Sequence, residues 1–348
     1  MNAPLLLAID TSCDETSVAV TRGQEILSTV ISSQVRYHKA YGGVVPFMAQ
    51  RLHKERIDLV VTLALSRAGV TSVDLEGIAI TYGPGLAPCL EVGLDKARVL
   101  SAELKLPLYG VNHMSGHIAS CVAGRKETLQ YPALALLVSG GHTEMVLLES
   151  FSKTTIVGAT LDDALGEAYD KVAKMLGLGY PGGKLISNLA KHGNDQAYPL
   201  PIPMLRNPGA DISYSGLKTA VKYLLDDIRK EHEVALPQEV ICDLAASFER
   251  VAQEGLMRKV RFILGRHPEI RQILLAGGVA ANTALRKRVR AVAKTTGATV
   301  HTPKNLALCT DNAAMIGVAA WLGIQDGGLA PTDGASLDRA PQLSFTRA

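Results

Sequence analysis

The chain contains no C-x-x-C pair, and its five cysteines (Cys13, Cys89, Cys121, Cys242 and Cys309) are odd in number and scattered. That excludes a disulfide scaffold and fits a reducing compartment. No apolar run approaches the length of a bilayer-spanning helix. The first residues lead straight into an apolar strand, Pro4 to Asp10, with neither a charged segment before a cleavable apolar stretch nor an Arg-rich leader. The expectation is a cytoplasmic protein with no membrane association. An excess of one charge is missing too: 36 Lys and Arg stand against 33 Asp and Glu, a net charge of +3. That balance permits a nucleic-acid partner without arguing for one. Aromatic residues are only 5% while apolar residues reach 47%, the composition of a soluble α/β protein rather than a disordered or fibrous one. At 348 residues the chain is long enough for one large or two medium domains.

Two familiar signatures are also incomplete. Residues 83–88 (GPGLAP) lack the third glycine and the strand–helix context of a dinucleotide fingerprint. His113 and His117 are spaced as in a zincin, but Met114 stands where the catalytic glutamate would be, so that protease chemistry has no general base.

What is present is a recurring unit. An apolar strand to Asp10, a polar turn and a strand through residues 17–22 read as a hairpin with a polar tip. The pattern returns at Ala133 to Val138, the turn SGGHT and a further strand, beyond a polar connection at residues 124–131. The two units suggest related subdomains. Residues 32–39 and 42–46 read as loops, and Arg51 to Arg67 as an amphipathic helix. A strand ending near Gly83 is followed by a helix to Leu104, and residues 107–112 form another strand. Asp162 to Leu176 reads as a helix with an acidic start, and residues 177–183 (GLGYPGG) as a loop. Two long amphipathic helices follow, then strand, Gly-Gly turn and helix over residues 273–294. A last helix opens at residues 309–321 with Thr310 as N-cap.

Four glycine-bearing or polar turns follow apolar strands, at residues 10–15, 139–143, 179–183 and 276–282. Glycines let backbone amides approach a phosphate, and a helix start adds further donors. His113 and His117, four apart, share one face of a helix. Asp311, in a polar turn at a helix start, is the best third ligand, although a cap is the commoner role there. Two imidazoles and a carboxylate would make an open site suited to iron(II) or zinc. Glu167 and Asp170 lie on one helix, where a solvated acidic face is the ordinary role. Arg286 to Arg290 with Lys294 forms a basic helical stretch whose alternative to a solvated face is contact with a phosphate backbone.

Taken together, the motifs DTSCDET (10–16), YGGVVP (41–46), TYGPGL (81–86), the histidine pair, LVSGGHT (137–143), DDALGEAYDK (162–171), YPGG (180–183), SYSGLKT (213–219), AGGVAAN (276–282) and CTDNAAM (309–315) span nearly the whole chain. In that order they resemble the tRNA N6-adenosine threonylcarbamoyltransferase family, the TsaD type. The resemblance implies an α/β fold of two ASKHA (ribonuclease H-like) subdomains, each a mixed sheet flanked by helices, with a cleft between them. The subdomains would be residues 1–127 with 308–348, and 128–307. It implies transfer of threonylcarbamoyl from threonylcarbamoyl-AMP to N6 of the adenosine 3′ of the anticodon in tRNAs reading ANN codons, releasing AMP. An ATPase or small-molecule kinase of the same fold class is the alternative. It implies that His113, His117 and Asp311 bind one divalent ion, iron(II) before zinc. Leu137, Val138, Ser139, Gly140, Gly141, Asp170, Gly183 and Asn282 would bind the adenylate, and Asp170 or Glu15 would act as the catalytic carboxylate. The implied partners are the tRNA anticodon stem-loop, a TsaB-type paralogue and a TsaE-type ATPase. Departures from the family pattern fall at Phe47 and Met48, in place of a Glu-Leu pair, and around Pro88 and Glu91.

Overall fold

The structure is a computed structural model that describes residues 3–41, 43–231, 236–334 and 336–348, so Gly42 of the loop expected at 42–46 lies outside the described residues. The chain forms two compact units. One comprises Met1–Tyr131, Leu148–Thr154 and His301–Thr346; the other comprises Pro132–Leu147, Thr155–Val300 and Arg347–Ala348. The first unit extends past residue 127 and takes up the chain again before 308. Gly124 N–H donates to the Gln24 carbonyl at 2.7 Å, and Arg125 donates to the Thr302 carbonyl at 3.1 Å. Residues 148–154 join it because Ser150 Oγ and Ser152 N–H both donate to Asp326, each at 2.8 Å.

In the first unit, β1 (Leu5–Asp10), β2 (Glu15–Arg22) and β3 (Glu25–Ser33) form an antiparallel meander. A short helix, α1 (Val35–His38), lies in the segment expected to be a loop, and β3 runs into its start. The helix expected from residue 51 begins earlier, as α2 (Pro46–Ala68), with proline at its first position, where the ring replaces an N–H that has no helical partner. β4 (Gly77–Gly83) pairs parallel with β1, and β5 (Leu108–Asn112) parallel with β4, joined by α3 (Ala87–Leu104). The sheet order is β3-β2-β1-β4-β5. β1 is central and wholly buried. Leu5, Leu7 and Ile9 point into a core completed by Ile57, Val60 and Val61 of α2 and Val92 and Leu94 of α3. α4 (His113–Ser120) follows β5 directly.

The second unit opens with β6 (Ala133–Val138), β7 (Thr143–Leu148) and β8 (Thr154–Ala159). Helices α5 (Leu165–Met175), α6 (Gly182–Ala190), α7 (Ser215–Glu231) and α8 (Gln238–Arg266) follow, then β9 (Gln272–Ala276), α9 (Thr283–Thr296) and β10 (Thr299–His301). β9 pairs parallel with β6. Tyr169 of α5 and Phe248 of α8 meet edge to face, centroids 5.1 Å apart, in a core shared with Leu134, Leu136, Val260 and Val289. Two expectations fail here. α5 starts at Leu165, not Asp162, because Asp162 accepts the Tyr214 N–H at 2.8 Å and Asp163 pairs with Lys171 and Lys218, fixing both acids ahead of the helix. The YPGG segment is not all loop: Pro181 caps α6, whose first residues are Gly182 and Gly183.

The chain then returns to the first unit as α10 (Ala313–Gln325) and ends in β11 (Thr346–Arg347) beside β8. The N-cap of α10 is Asn312, whose Oδ1 accepts the Met315 N–H at 3.0 Å, not the expected Thr310. α10 is buried along most of its length. It rests on the sheet face opposite α2, where Gly317 lies against Thr21 and Ala8 with no room for a Cβ. Gly317→Val should therefore push the helix off the sheet. Overpacking of this kind costs about 1–3 kcal/mol, to be read as a lowered urea midpoint with an unchanged slope.

Candidate functional site

The two histidines sit at the first and fifth positions of α4, a helix whose start is set by Asn112; its Oδ1 accepts the Met114 N–H at 2.8 Å. Met114 itself is buried, which confirms a packing role where a zincin needs an acid. On α4, Gly116 faces α10, and a Cβ there would stand 2.7 Å from Ile316 Cδ1. That close approach brings the residue just ahead of Asn312 to the histidines. Since Asn312 does the capping, the Asp311 carboxylate is left to face them. His113 Nε2 and His117 Nε2 lie 3.4 and 3.3 Å from Asp311 Oδ1. The imidazole planes are 80° apart, and the three donor atoms lie within 4.8 Å of one another.

These separations are long for hydrogen bonds. They equal the spacing of ligands around an ion, because two donors each about 2.0–2.1 Å from a tetrahedral metal stand about 3.3 Å apart. The donor set also fits: neutral imidazole and carboxylate suit zinc or iron(II). His113 is braced from behind, its Nδ1 lying 3.2 Å from Ser12 Oγ and 3.4 Å from Asp10 Oδ2. A carboxylate there orients the ring and raises its basicity. Asp10 and Ser12 were legible only as members of a polar tip, not as supports for a histidine. Burial disfavours a charged His113, but the carboxylates of Asp311 and Asp10 outweigh it and hold the imidazole at about 10. Burial likewise works against an ionised Asp311, and the two histidines overcome it, keeping the carboxyl well below its usual range. The pocket thus demands positive charge.

Glu15, the first residue of β2, accepts from Ser33 Oγ at 2.9 Å. Burial, then Asp14 and Asp311, push its carboxyl up to about 9. Burial also pushes the Cys13 thiol far up, so that cysteine is no nucleophile.

In the second unit the expected substrate residues fall on turns that meet. Leu137 and Val138 end β6 with fully buried side chains, which leaves only their backbones to face a ligand. The turn after them closes on itself through Ser139 N–H to the His142 carbonyl at 2.8 Å and His142 N–H to Ser139 Oγ at 3.0 Å. Gly140 and Gly141 have open space where side chains would be. The start of α5 presses on this turn, Gly166 N–H donating to the Ser139 carbonyl at 3.2 Å. Gly277, at φ +88, leaves no room for a Cβ beside the Val138 carbonyl. Asp170 accepts the Gly182 N–H at 2.7 Å and so fastens the start of α6, beside Gly183, to α5. Burial raises its carboxyl, against the lowering effect of the Gly182 and Gly183 amides. Glu167 pairs with Lys171 at 2.9 Å on the half-exposed face expected of it.

Sequence reasoning missed the group that ties these turns together. Asn282 caps α9, accepting the Leu285 N–H at 2.9 Å, and its Nδ2 donates to Ser187 Oγ and to Glu249 Oε1, each at 2.8 Å. Ser187 Oγ also donates to Glu249 Oε1 at 2.8 Å, and Tyr169 O–H to the same oxygen at 3.3 Å. One buried carboxylate oxygen on α8 therefore locks α5, α6 and α9. Nothing in the local pattern around Glu249 marks it, because it reads as one polar position in a long helix. Among the departures, Pro88 lies in the first turn of α3, and Glu91 pairs with Arg98 and with Arg339 of the C-terminal segment. Phe47 is 80% exposed on the first turn of α2.

Residues 25–318 match the profile of a family described as tRNA N6-adenosine threonylcarbamoyltransferase (TsaD). A protein of that name from Clostridioides difficile (strain 630) is 43% identical over 349 residues, spanning the whole of both chains. Another, from Bacillus subtilis (strain 168), is 45% identical over 325 residues, 92% of this chain and 91% of the relative. Among solved structures, T. kodakarensis HypF is similar with a TM-score of 0.61 at 15% identity, over 93% of this chain and 48% of that one. The ROK hexokinase from Thermus thermophilus is similar with a TM-score of 0.51 at 14% identity, over 92% and 99%. At such identities these two show the fold alone, that of the ASKHA class.

Metal binding here requires a neutral His113, whose proton must leave. Affinity for zinc should fall about tenfold per pH unit as pH drops from 8 to 6, measured by competition with a chromophoric chelator; a flat profile would show that no proton is displaced. In unit two, Glu249→Ala and Asn282→Ala should each destabilise the fold by about 1–3 kcal/mol. Their double mutant should cost less than the sum by about 0.5–3 kcal/mol in urea melts.

Proposed function

The chain belongs to the tRNA N6-adenosine threonylcarbamoyltransferase family, and from that membership we propose how its own residues serve the reaction. It is an acyltransferase that modifies tRNA, placing a threonylcarbamoyl group on N6 of an adenosine. The donor we assign is threonylcarbamoyl-AMP, and the acceptor is the adenosine 3′ of the anticodon in tRNAs reading ANN codons. An exocyclic adenine amine is a weak nucleophile, since its lone pair is delocalised into the ring. A mixed anhydride with AMP compensates by offering a good leaving group, which leaves the protein mainly the work of positioning and charge stabilisation.

The division of labour follows the two units, in the proposed ranges 1–127 with 308–348 and 128–307. The second binds the adenylate through the backbones of Leu137 and Val138, the Ser139–Gly140–Gly141 turn, Gly183 and Asn282. Support comes from the open glycines of that turn and from Glu249, which fastens Asn282 and Ser187 of α6 to α8. In the first unit, His113, His117 and Asp311 hold a divalent ion, iron(II) or zinc. That ion would supply Lewis acidity and a template for the threonylcarbamoyl end. The amine attacks the carbamoyl carbon, the carbon–phosphate oxygen bond breaks, and AMP departs. Glu15 takes the amine proton in this reading. Burial and the neighbouring acids Asp14 and Asp311 hold its carboxyl at about 9, and a cation beside Asp311 would draw it down toward working pH. Asp170, engaged with the amides at the start of α6, acts as a positioning residue.

A TsaB-type paralogue and a TsaE-type ATPase complete the proposed set of partners, in the cytoplasm. Among the described residues no helix is long and apolar enough to cross a membrane. An ATPase or kinase of the same fold class would have no use for the histidine pair. The observation that carries the proposal is the approach of His113, His117 and Asp311 within 4.8 Å, in a chain 43% identical along its whole length to a named transferase.

With threonylcarbamoyl-AMP and unmodified tRNA supplied, modified adenosine should form, and should fall by on the order of 100-fold or more with chelator or with Asp311→Ala. Glu15→Gln should lower kcat with little change in KM for the donor, while Asp170→Asn should mainly raise that KM. Mass spectrometry of digested tRNA reads all of these, and full transfer by Asp311→Ala would remove the ion from the mechanism.

A further inference from the structure

The net charge of +3 conceals a strong segregation. Between Arg258 and Lys294 the chain carries ten Lys or Arg and a single acid, Glu269, so that segment alone is +9 and the remaining residues sum to −6. The structure gathers much of this charge on one face of the second unit. α9 packs inward through Leu285, Val289, Val292 and Ala293, which are buried. Lys287, Arg290 and Lys294, at spacings of three and four residues, therefore share its exposed side. These three make no ion pair among the described residues. α8, packed against α9, adds Arg258 and Arg261, and with Arg288 of α9 they surround one carboxylate, Glu254, at 3.4, 3.1 and 3.9 Å. One acid shared by three guanidinia leaves that cluster net positive as well as held in place.

Several exposed cations elsewhere on the chain have acids of their own: Lys153 with Glu149, Lys230 with Asp227, Arg347 with Asp211. An ordinary solvated surface mixes its signs in that way, and the α8–α9 face does not. We infer that this face is the docking surface for the phosphodiester backbone of the substrate tRNA. The inference rests on the tRNA-modifying reading above and adds to it the place of contact.

Two further observations bear on the partner's chemistry. The exposed side of α9 presents ammonium and guanidinium groups and no aromatic ring. It is therefore equipped to neutralise phosphates rather than to stack on bases. α9 also begins at Asn282, one of the proposed adenylate contacts. Lys287 follows about 7.5 Å further along the axis, at about 1.5 Å per residue. The basic stripe therefore grows from the same turn that serves the donor, and a backbone gripped there is held in fixed relation to that turn.

The test uses the full chain and an unmodified transcript of a tRNA reading an ANN codon. In the triple variant Lys287→Glu, Arg290→Glu, Lys294→Glu, tRNA affinity at low salt should fall at least about tenfold. The slope of log K against log salt should become shallower by about 2–3. KM for tRNA should rise while kcat at saturating tRNA and the affinity for AMP stay unchanged. A parallel set with glutamine at the three positions carries the same test should the charge reversal disturb folding, with circular dichroism as the check. Wild-type affinity and slope in both sets would overturn the inference. So would loss of the slope in a Lys126→Glu, Lys304→Glu variant of the first unit with the α9 sets unaffected. A wild-type chain that neither binds nor modifies the transcript would instead overturn the transferase reading itself.

Discussion

Much in the first unit depends on how closely α10 can lie against α4 and the central sheet. α10 comes from the far end of the chain and has to bury nearly its whole circumference. Glycines at the two contact points, Gly116 toward α10 and Gly317 toward Thr21 and Ala8, remove the side chains that would hold the layers apart. With the helix seated, Asn312 satisfies its first free amides, and Asp311, one residue earlier, projects toward the two imidazoles. The result is a half-buried carboxylate between two buried histidines, of which His113 is braced by Asp10. Burying that much negative charge is unfavourable unless a proton or a metal ion offsets it. The electrostatics and the spacing of the donors therefore point to the same occupant.

The second unit solves a different problem with similar economy. Its turns carry few side chains, which leaves their backbone amides unobstructed. Such turns have little intrinsic rigidity. Glu249 and Asp170 supply it from outside: one carboxylate oxygen accepts from Asn282, Ser187 and Tyr169, and the other carboxylate fastens the first amide of α6. Charged hydrogen-bond acceptors in a buried setting are stronger than neutral ones. They suit the proposed adenylate site, which would have to hold an activated acyl donor without distortion.

The elements with strong periodicity were legible from the residues alone: the hairpin at Asp10 to Arg22, the helix after Gly83, the histidines on one helical face. Errors cluster where a tertiary partner overrides local preference. Thr310 is as good a cap as Asn312 in isolation, and only the seating of α10 decides between them. Asp162 and Asp163 look like an acidic helix start until Tyr214, Lys171 and Lys218 claim them. Gly182 and Gly183 seem unfit for a helix, yet Asp170 caps them into one. The two candidate histidine ligands were readable because histidine is scarce in the chain and their spacing is local. Glu249 was not, because its partners lie 33, 62 and 80 residues away.

The sequence by itself determined the alternation of apolar strands with polar, glycine-bearing turns, the pairing of His113 with His117, and the ordered motifs that place the chain in its family. These are local properties, set by side-chain chemistry and by the 2.0 and 3.6 periodicities of strand and helix. Only the tertiary structure decided that Asp311 meets those histidines and that Glu249 binds three separate helices together. It alone showed that cations from α8 and α9 gather where they share a single carboxylate, Glu254. Those are distances between residues far apart along the chain, and packing, not local pattern, sets them.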